Sequence, residues 1–213
     1  MFHRHSSAIV AGLAMIMGAG LAVHAHDEGV KQIEQLIKKA NAQVSSVDEA
    51  KNQLQKTMDA YNGVFAPDVK DRRDAYKKLQ KEMADTEKKR VEVATRSTEL
   101  NAEADNLFKG WEGSTAAIQS PDLKKRSEQR LTQTQGRFAD LRQMGQQATG
   151  LYGPFMKTLQ DQVTFLGHDL NPGAVASLKP DADKVNAQAQ TLYASIDKVT
   201  AAAKGNIAKL SAE

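Results

Sequence analysis

Residue types suited to acid–base or metal chemistry are few in this sequence of 213 residues, and they do not cluster. Four of the five histidines lie near the N-terminus: His3, His5, His24 and His26. The fifth, His168, stands directly before Asp169. One histidine beside one carboxylate is neither a zinc ligand set nor a catalytic triad. We therefore predict no catalytic, cofactor-binding or metal-binding residues, and we expect His168 to lie at the carboxyl end of a helix.

Composition and motifs argue against several other functions. The chain has no cysteine, so it cannot form a disulfide, a thiolate metal site or a lipidated cysteine. Neither G-x-x-x-x-G-K-[ST] nor G-x-G-x-x-G occurs, which argues against an ATPase. A formal net charge of +3, without aromatic residues interleaved among the basic ones, predicts no nucleic-acid partner. The basic residues alternate with acidic ones, which is typical of a solvated face; contact with anionic lipid or cell-wall polymer stays open.

The first 25 residues have the features of a signal peptide. Arg4 precedes an uncharged apolar run from Ala8 to Val23, and small residues at Val23 and Ala25 fit the positions that a signal peptidase reads. We predict cleavage after Ala25 and export to the periplasm of a mature chain without a transmembrane segment. The alternative is a retained anchor, because the uncharged stretch approaches the roughly 20 residues that span a membrane.

The remaining residues, 26–213, have the periodicity of long helices. Apolar residues recur at alternating spacings of three and four: Val30, Ile33, Ile37, Ala40 and Val44 begin the series. This spacing places one apolar stripe along a helix and favours coiled-coil-like packing. Pro67, the glycines 110 and 113, and the turn around His168 divide the pattern. The predicted helices span about residues 28–65, 68–112, 120–167 and 171–211.

Short connections between these helices favour antiparallel neighbours. We therefore predict an all-α fold, an elongated up-down-up-down bundle that forms a single domain with a long axis of about 70 Å. A three-helix rod with one loosely attached arm is the alternative. Polar Thr86, Arg90 and Ser97 occupy the apolar stripe of the second helix, so its middle is predicted to be the weakest packed part.

Two prolines fall inside predicted helices. Pro154 and Pro180 cannot donate a hydrogen bond to the carbonyl four residues earlier, so both predict kinks. Aromatic residues gather near the same end of the bundle and form our candidate interaction surface: Tyr61, Tyr76, Tyr152, Phe155 and Phe165. The alternative reading of these residues is an aromatic plug that closes the end of the bundle.

Four segments resemble the bacterial domain-of-unknown-function family 2959. They are L-F-K-G-W-E from Leu107, K-K-R-S-E-Q-R-L from Lys124, D-Q-V-T-F-L-G-H-D-L-N from Asp161 and A-S-L-K from Ala176. The resemblance covers most of residues 30 to 205. It implies an exported helical protein of a Gram-negative bacterium, from a family without an established activity. Members are often lipoproteins, whereas this chain has no cysteine to acylate.

These observations predict a non-enzymatic interaction or scaffolding protein of the bacterial envelope. Its partner would be another envelope protein or a lipid, and no cofactor is expected. The alternative is a periplasmic carrier of a lipid or other apolar ligand, which opens at the end containing Pro154 and Pro180. The sequence leaves the partner and the oligomeric state open.

Overall fold

A computed structural model describes the backbone of residues 14–212 and the side chains of residues 29–211. Five helices account for nearly all of this part of the chain: α1 Ala14–Val64, α2 Arg72–Ala116, α3 Pro121–His168, α4 Pro172–Ser177 and α5 Lys179–Ala212. The described residues contain no strand. The prediction of an all-α fold is therefore confirmed.

Polar contacts define the direction of each helix relative to its neighbours. In each pair of neighbouring helices, residue numbers rise along one helix as they fall along the other. Helices α1 and α2 are joined by Lys39 with Glu99 and by Gln53 with Glu82, and α1 and α5 are joined by Lys51 with Asp197 and by Asn62 with Asn186. Helices α2 and α3 are joined by Tyr76 with Val163 and by Trp111 with Ser127. Both α1 and α3 pack against α2 and α5. The bundle therefore has the predicted up-down-up-down arrangement of four long helices.

Helix ends follow local capping signals where a suitable side chain is present. The Asp71 side chain accepts hydrogen bonds from the backbone N–H groups of Arg73 and Asp74, at 2.8 and 3.2 Å. This cap makes α2 begin at residue 72 and not at the predicted residue 68. Asn171 caps α4 in the same way by accepting from the N–H of Ala174 at 2.9 Å.

Helix α2 continues past the glycines that were expected to end it, because tertiary contacts stabilise its last turn. The helix continues through residues 110 and 113 to Ala116. Trp111 donates from Nε1 to Ser127 Oγ at 3.0 Å, and the hydroxyls of Thr115 and Ser127 lie 2.6 Å apart. These bonds to α3 hold the last turn of α2 in place.

The two internal prolines differ in their surroundings. Pro154 lies inside α3, which is helical on both sides of it. Near Pro180 the helix is interrupted for one residue, since α4 ends at Ser177 and α5 begins at Lys179. Pro180 thus occupies the first turn of α5, where its missing N–H group needs no intrahelical partner. The predicted fourth helix is consequently divided into a short and a long helix.

The buried side chains form two separate clusters. The loop-end core lies near the α1–α2 and α3–α4 connections, and its members include Tyr61, Leu79, Phe155, Leu166 and Leu192. The terminal core lies at the other end of the bundle, and its members include Leu36, Leu107, Phe108, Leu131 and Leu210. The middle of the bundle lies between these clusters.

The predicted signal peptide lies partly outside the described residues. Nothing is described for residues 1–13, and α1 starts at Ala14, before the predicted helix start at residue 28. Cleavage after Ala25 therefore stays a prediction. Among the described residues, no helix contains a segment long and apolar enough to cross a membrane.

Candidate ligand-binding cavity

The middle of the bundle contains a cavity of about 630 Å³ between the two cores. All four long helices contribute to its wall. On α1 the lining residues run from Leu36 to Leu54, and on α3 they run from Phe138 to Tyr152. Because an α-helix rises 1.5 Å per residue, the α1 wall is about 27 Å long. The cavity is therefore elongated parallel to the helix axes.

Small side chains on all four helices leave this space unfilled. They share the inward-facing stripe at the middle of the bundle: Ala40, Ala50, Ala94, Ser97, Gly145, Ala148 and Ala203. A Cβ atom placed on Gly145 would meet no other atom within 4 Å. The space in front of Gly145 is thus open, and this explains why the two cores are not continuous.

The helices α2 and α3 contain no buried residue in their middle sections. On α2 no residue between the buried Thr86 and the buried Ala104 is itself buried. On α3 the same holds between the buried Thr134 and the buried Phe155. Elsewhere the same two helices are joined by buried contacts at both ends of the bundle. The facing middle sections of α2 and α3 therefore remain accessible to solvent.

The opening of the cavity lies between α2 and α3. Four residues that line the cavity are also exposed, and they are divided between these two helices: Arg90 and Ala94 on α2, and Gln146 and Thr149 on α3. The lining residues of α1, in contrast, are buried or half-buried. A molecule could thus enter sideways between α2 and α3 without separating the two ends of the bundle.

The two charged residues in the lining are arginines, and both are bonded to carboxylates. Arg90 donates from Nε and Nη2 to Glu87, with distances of 2.6 to 2.9 Å. Arg142 donates from Nη2 to Asp105 at 2.7 Å and from Nε to Asn101 Oδ1 at 2.9 Å. The positive charges at the wall are therefore already balanced by the protein.

Two polar atoms in the lining residues are buried without a hydrogen-bond partner. Gln43 donates from Nε2 to the carbonyl of Val93 at 3.4 Å, which leaves its Oε1 as an unpaired acceptor. The hydroxyl of Tyr152 is buried and unpaired as well. Burial, and secondarily the charge of Glu87, raises the pKa of Tyr152 to about 12. No hydrogen bond of ordinary geometry joins that hydroxyl to Glu87.

The five aromatic residues of the predicted interaction surface occupy different environments. Tyr61 and Phe155 are buried in the loop-end core, with 0% and 2% of their surfaces exposed. Tyr76 is half-buried against the same core, and Phe165 is 44% exposed. Tyr152 packs against that core and also lines the cavity. The structure therefore does not bring all five together on one accessible surface.

Sequence reasoning located the weakly packed region but not the cavity itself. Thr86, Arg90 and Ser97 were singled out as polar residues on the apolar stripe of α2, and all three line the cavity. The signal that was missed is the pair of small stripe residues on α3, Gly145 and Ala148. Small residues on a second helix at the same level would have indicated a void and not only a weak contact.

His168 lies away from this cavity. It is the last residue of α3 and lines a polar cleft with Asp71, Arg72 and Asp169, between the two connections at that end. Within the side chains that the structure describes, no three histidine or acidic residues are grouped so that they could hold a metal ion.

The fold and the cavity define a class: an all-α antiparallel bundle with an apolar space between its four long helices. Residues 24–210 match a family model described as a protein of unknown function, DUF2959. The match covers most of the chain, so the protein belongs to this family, as the sequence segments suggested. Comparison with curated proteins found no match, and comparison with solved structures found none either.

Proposed function

We propose that this protein binds an elongated apolar or amphiphilic molecule in the cavity at the middle of the bundle. The cavity itself carries the proposal, because protein interiors are close-packed and contain few voids larger than a water molecule. A volume of about 630 Å³ falls within the range of about 300 to 1,000 Å³ that is typical of ligand sites.

The shape and lining of the cavity favour a chain-like ligand. Its walls are largely aliphatic or aromatic, with members on all four long helices: Leu36, Val44, Leu54, Val93, Leu100, Phe138, Leu192 and Ile196. Burying an alkyl chain against such walls is favourable by about 0.8 kcal/mol for each CH₂ group. The length of the cavity along α1 suits an acyl or isoprenoid chain that lies parallel to the helices.

The carrier hypothesis drawn from the sequence placed the ligand at the end of the bundle near Pro154, whereas we propose a binding site in the middle of the bundle. Tyr61 and Phe155 fill the loop-end core, whereas open space begins on the other side of Tyr152. Together with the predicted signal peptide, this supports a carrier in the periplasm. There an apolar molecule that crosses between membranes must be shielded from water.

The lining is suited to binding and not to acid–base catalysis. Arg90 and Arg142 are each bonded to a carboxylate that lies outside the lining. Tyr152 has its pKa raised to about 12 by burial, so it stays protonated near neutral pH. We therefore propose no chemical step at this site.

Titration with an environment-sensitive apolar dye tests the proposal, with two glycine variants compared. Gly145→Leu places a side chain in the open space of the cavity. Gly136→Leu makes the same change on an exposed position of α3, where an added Cβ also meets no neighbour within 4 Å. We expect saturable binding of one dye per chain, at least tenfold weaker in Gly145→Leu, which is roughly 1.4 kcal/mol. Equal binding by both variants would place the dye elsewhere.

Photocrosslinking in cells separates the carrier from the scaffold. A photoreactive side chain at position 152 samples the cavity, and one at position 111 serves as the control near the opposite end. Lipid adducts at position 152 alone would support the carrier. Protein adducts at one end without lipid adducts would favour the scaffolding function predicted from the sequence.

A further inference from the structure

A set of polar bonds joins α2 to α3 at one edge of the cavity opening. Arg142 Nε donates to Asn101 Oδ1 at 2.9 Å, and Nη2 donates to Asp105 Oδ1 at 2.7 Å and to the carbonyl of Asn101 at 3.4 Å. We call these bonds the Arg142 bridge. The bridge lies about one helical turn along α3 from Gln146, which is one of the exposed residues of the opening.

On the other side of the opening, the next bond between the two helices is distant. Among the described residues, it joins the Tyr76 hydroxyl to the Val163 carbonyl at 3.1 Å. An α-helix rises 1.5 Å per residue, so this bond lies about 20 Å along the helices from Arg90 and Thr149 of the opening. The Arg142 bridge is therefore the link between α2 and α3 that bounds the opening most closely.

Arg142 stands at the boundary between the open space and the terminal core. Its guanidinium carbon lies 5.2 Å from the ring centroid of Phe138, and both residues line the cavity. Phe138 packs edge-to-face against Phe108 of the terminal core, with ring centroids 5.9 Å apart. Asp105, in contrast, lies outside the cavity lining. Arg142 thus connects the wall of the cavity to a carboxylate on the outer surface.

The Arg142 bridge can open while the bundle stays folded. The side chains of Arg142 and Asp105 are 38% and 63% exposed, and ion pairs this accessible to water are weak. Both cores contain buried residues of α2 and of α3, so the two helices remain joined at either end. Release of Arg142 would extend the opening by about one turn, as far as the contact between Phe108 and Phe138.

On the basis of the proposed function, we propose that Arg142 controls the passage of the ligand between α2 and α3. While the Arg142 bridge is formed, the opening is short and exchange of a chain-like ligand is slow. When Arg142 leaves Asn101 and Asp105, the opening lengthens and the ligand enters or leaves sideways. Because the bridge is present both with and without ligand, it slows association and dissociation alike and changes the affinity little.

Stopped-flow kinetics of the apolar dye test this proposal. Association is followed on mixing the dye with protein, and dissociation is followed on mixing the complex with excess phosphatidylcholine vesicles. The first variant is Asp105→Asn, because Asp105 does not line the cavity and so cannot act as a direct dye contact. We expect both rate constants to rise about threefold or more, and further in Arg142→Gln, since a weak exposed bond is lost in each. The dissociation constant should stay within about twofold.

The control is Arg96→Gln, which removes an arginine of similar exposure. Arg96 pairs with Glu92 on the same helix at 3.0 Å, so its loss breaks no bond between helices, and both rate constants should stay unchanged. Equal acceleration in this control would overturn the proposal, and so would unchanged rates in both Asp105→Asn and Arg142→Gln. Weaker affinity with an unchanged association rate in Arg142→Gln would make Arg142 a binding residue instead. Circular dichroism checks that the variants fold.

A covalent link across the opening tests the route itself. The chain has no cysteine, so cysteines that replace Ala94 and Gln146, both exposed, can be joined selectively by a bismaleimide. We expect dye exchange to slow about tenfold or more in the linked protein, because the two helices can no longer separate. The control is the same double variant with N-ethylmaleimide on both cysteines. Equal exchange rates in these two proteins would overturn the proposal, whereas an unaltered protein that binds no dye would refute the proposed function itself.

Discussion

At the residue scale, Gly167 permits a close contact between α2 and α3. A Cβ atom at this position would lie 2.6 Å from the Tyr76 hydroxyl oxygen. That hydroxyl donates to the carbonyl of Val163 at 3.1 Å and accepts from Gln80 Nε2 at the same distance. The sequence suggested Gly167 as part of the helix break, whereas the structure gives it a packing role in the last turn of α3.

Replacing Gly167 by alanine should destabilise the protein even though alanine favours helix. The methyl group would displace the Tyr76 hydroxyl, and we expect the free energy of unfolding to fall by about 1 kcal/mol. Urea unfolding measures this change. The matched control is Gly136→Ala at an exposed helical position, which should stabilise the protein by about 0.5 to 1 kcal/mol. Stabilisation by both substitutions would show that Tyr76 moves aside at no cost.

At the element scale, α3 accommodates a proline in its interior. The Pro154 nitrogen cannot donate to the carbonyl of Gly150, and the proline is exposed. The Pro154 carbonyl, in contrast, accepts a hydrogen bond from the Thr158 hydroxyl at 3.0 Å. Because the exposed ring buries little surface, the interior proline lowers the stability of α3 locally. The packing of the helix tolerates this loss.

Substituting Pro154 by alanine should therefore stabilise the protein. Restoring the backbone hydrogen bond and relieving the ring clash are expected to raise the free energy of unfolding by about 2 kcal/mol. Chemical denaturation measures this difference. The control is Pro121→Ala at the first position of α3, where proline is well tolerated and little change is expected. A loss of stability in Pro154→Ala alone would show that the packing of the bundle depends on the proline.

At the scale of the whole molecule, buried tyrosines make the stability of the protein depend on pH in the alkaline range. Burial is the main cause that raises the pKa values of Tyr152 and Tyr193 to about 12, and Asp59 adds to the shift of Tyr193. Burial raises the pKa of Tyr61 in the same direction. These residues lie on α1, α3 and α5, so their titration affects contacts across the whole bundle.

Stability should consequently decline as pH rises through the alkaline range. The folded protein holds these phenolic protons more tightly than the unfolded chain does. Their stabilising contribution is therefore complete below about pH 10 and is lost as the pH approaches and passes about 12. Urea unfolding between about pH 9 and about pH 12 should show this decline. Tyr193→Phe should flatten it, and an equally steep decline in that variant would assign the effect to other groups.

The sequence by itself determined the helical fold, since that fold depends on local spacing. Apolar residues three and four positions apart specify a helix and its buried face, and Pro67 marks an end that needs no tertiary information. Polar Thr86, Arg90 and Ser97 likewise indicated from sequence alone that the middle of α2 packs poorly.

Only the tertiary structure decided which residues meet between helices. The cavity exists because small residues such as Ala50, Ala94 and Gly145 line the same space from three different helices. That coincidence depends on the register between helices, which no local spacing encodes. Likewise, only the tertiary structure shows that Gln43 Oε1 and the Tyr152 hydroxyl have no hydrogen-bond partner. A hydrogen bond is satisfied or missing only with respect to neighbours that lie far away in the chain.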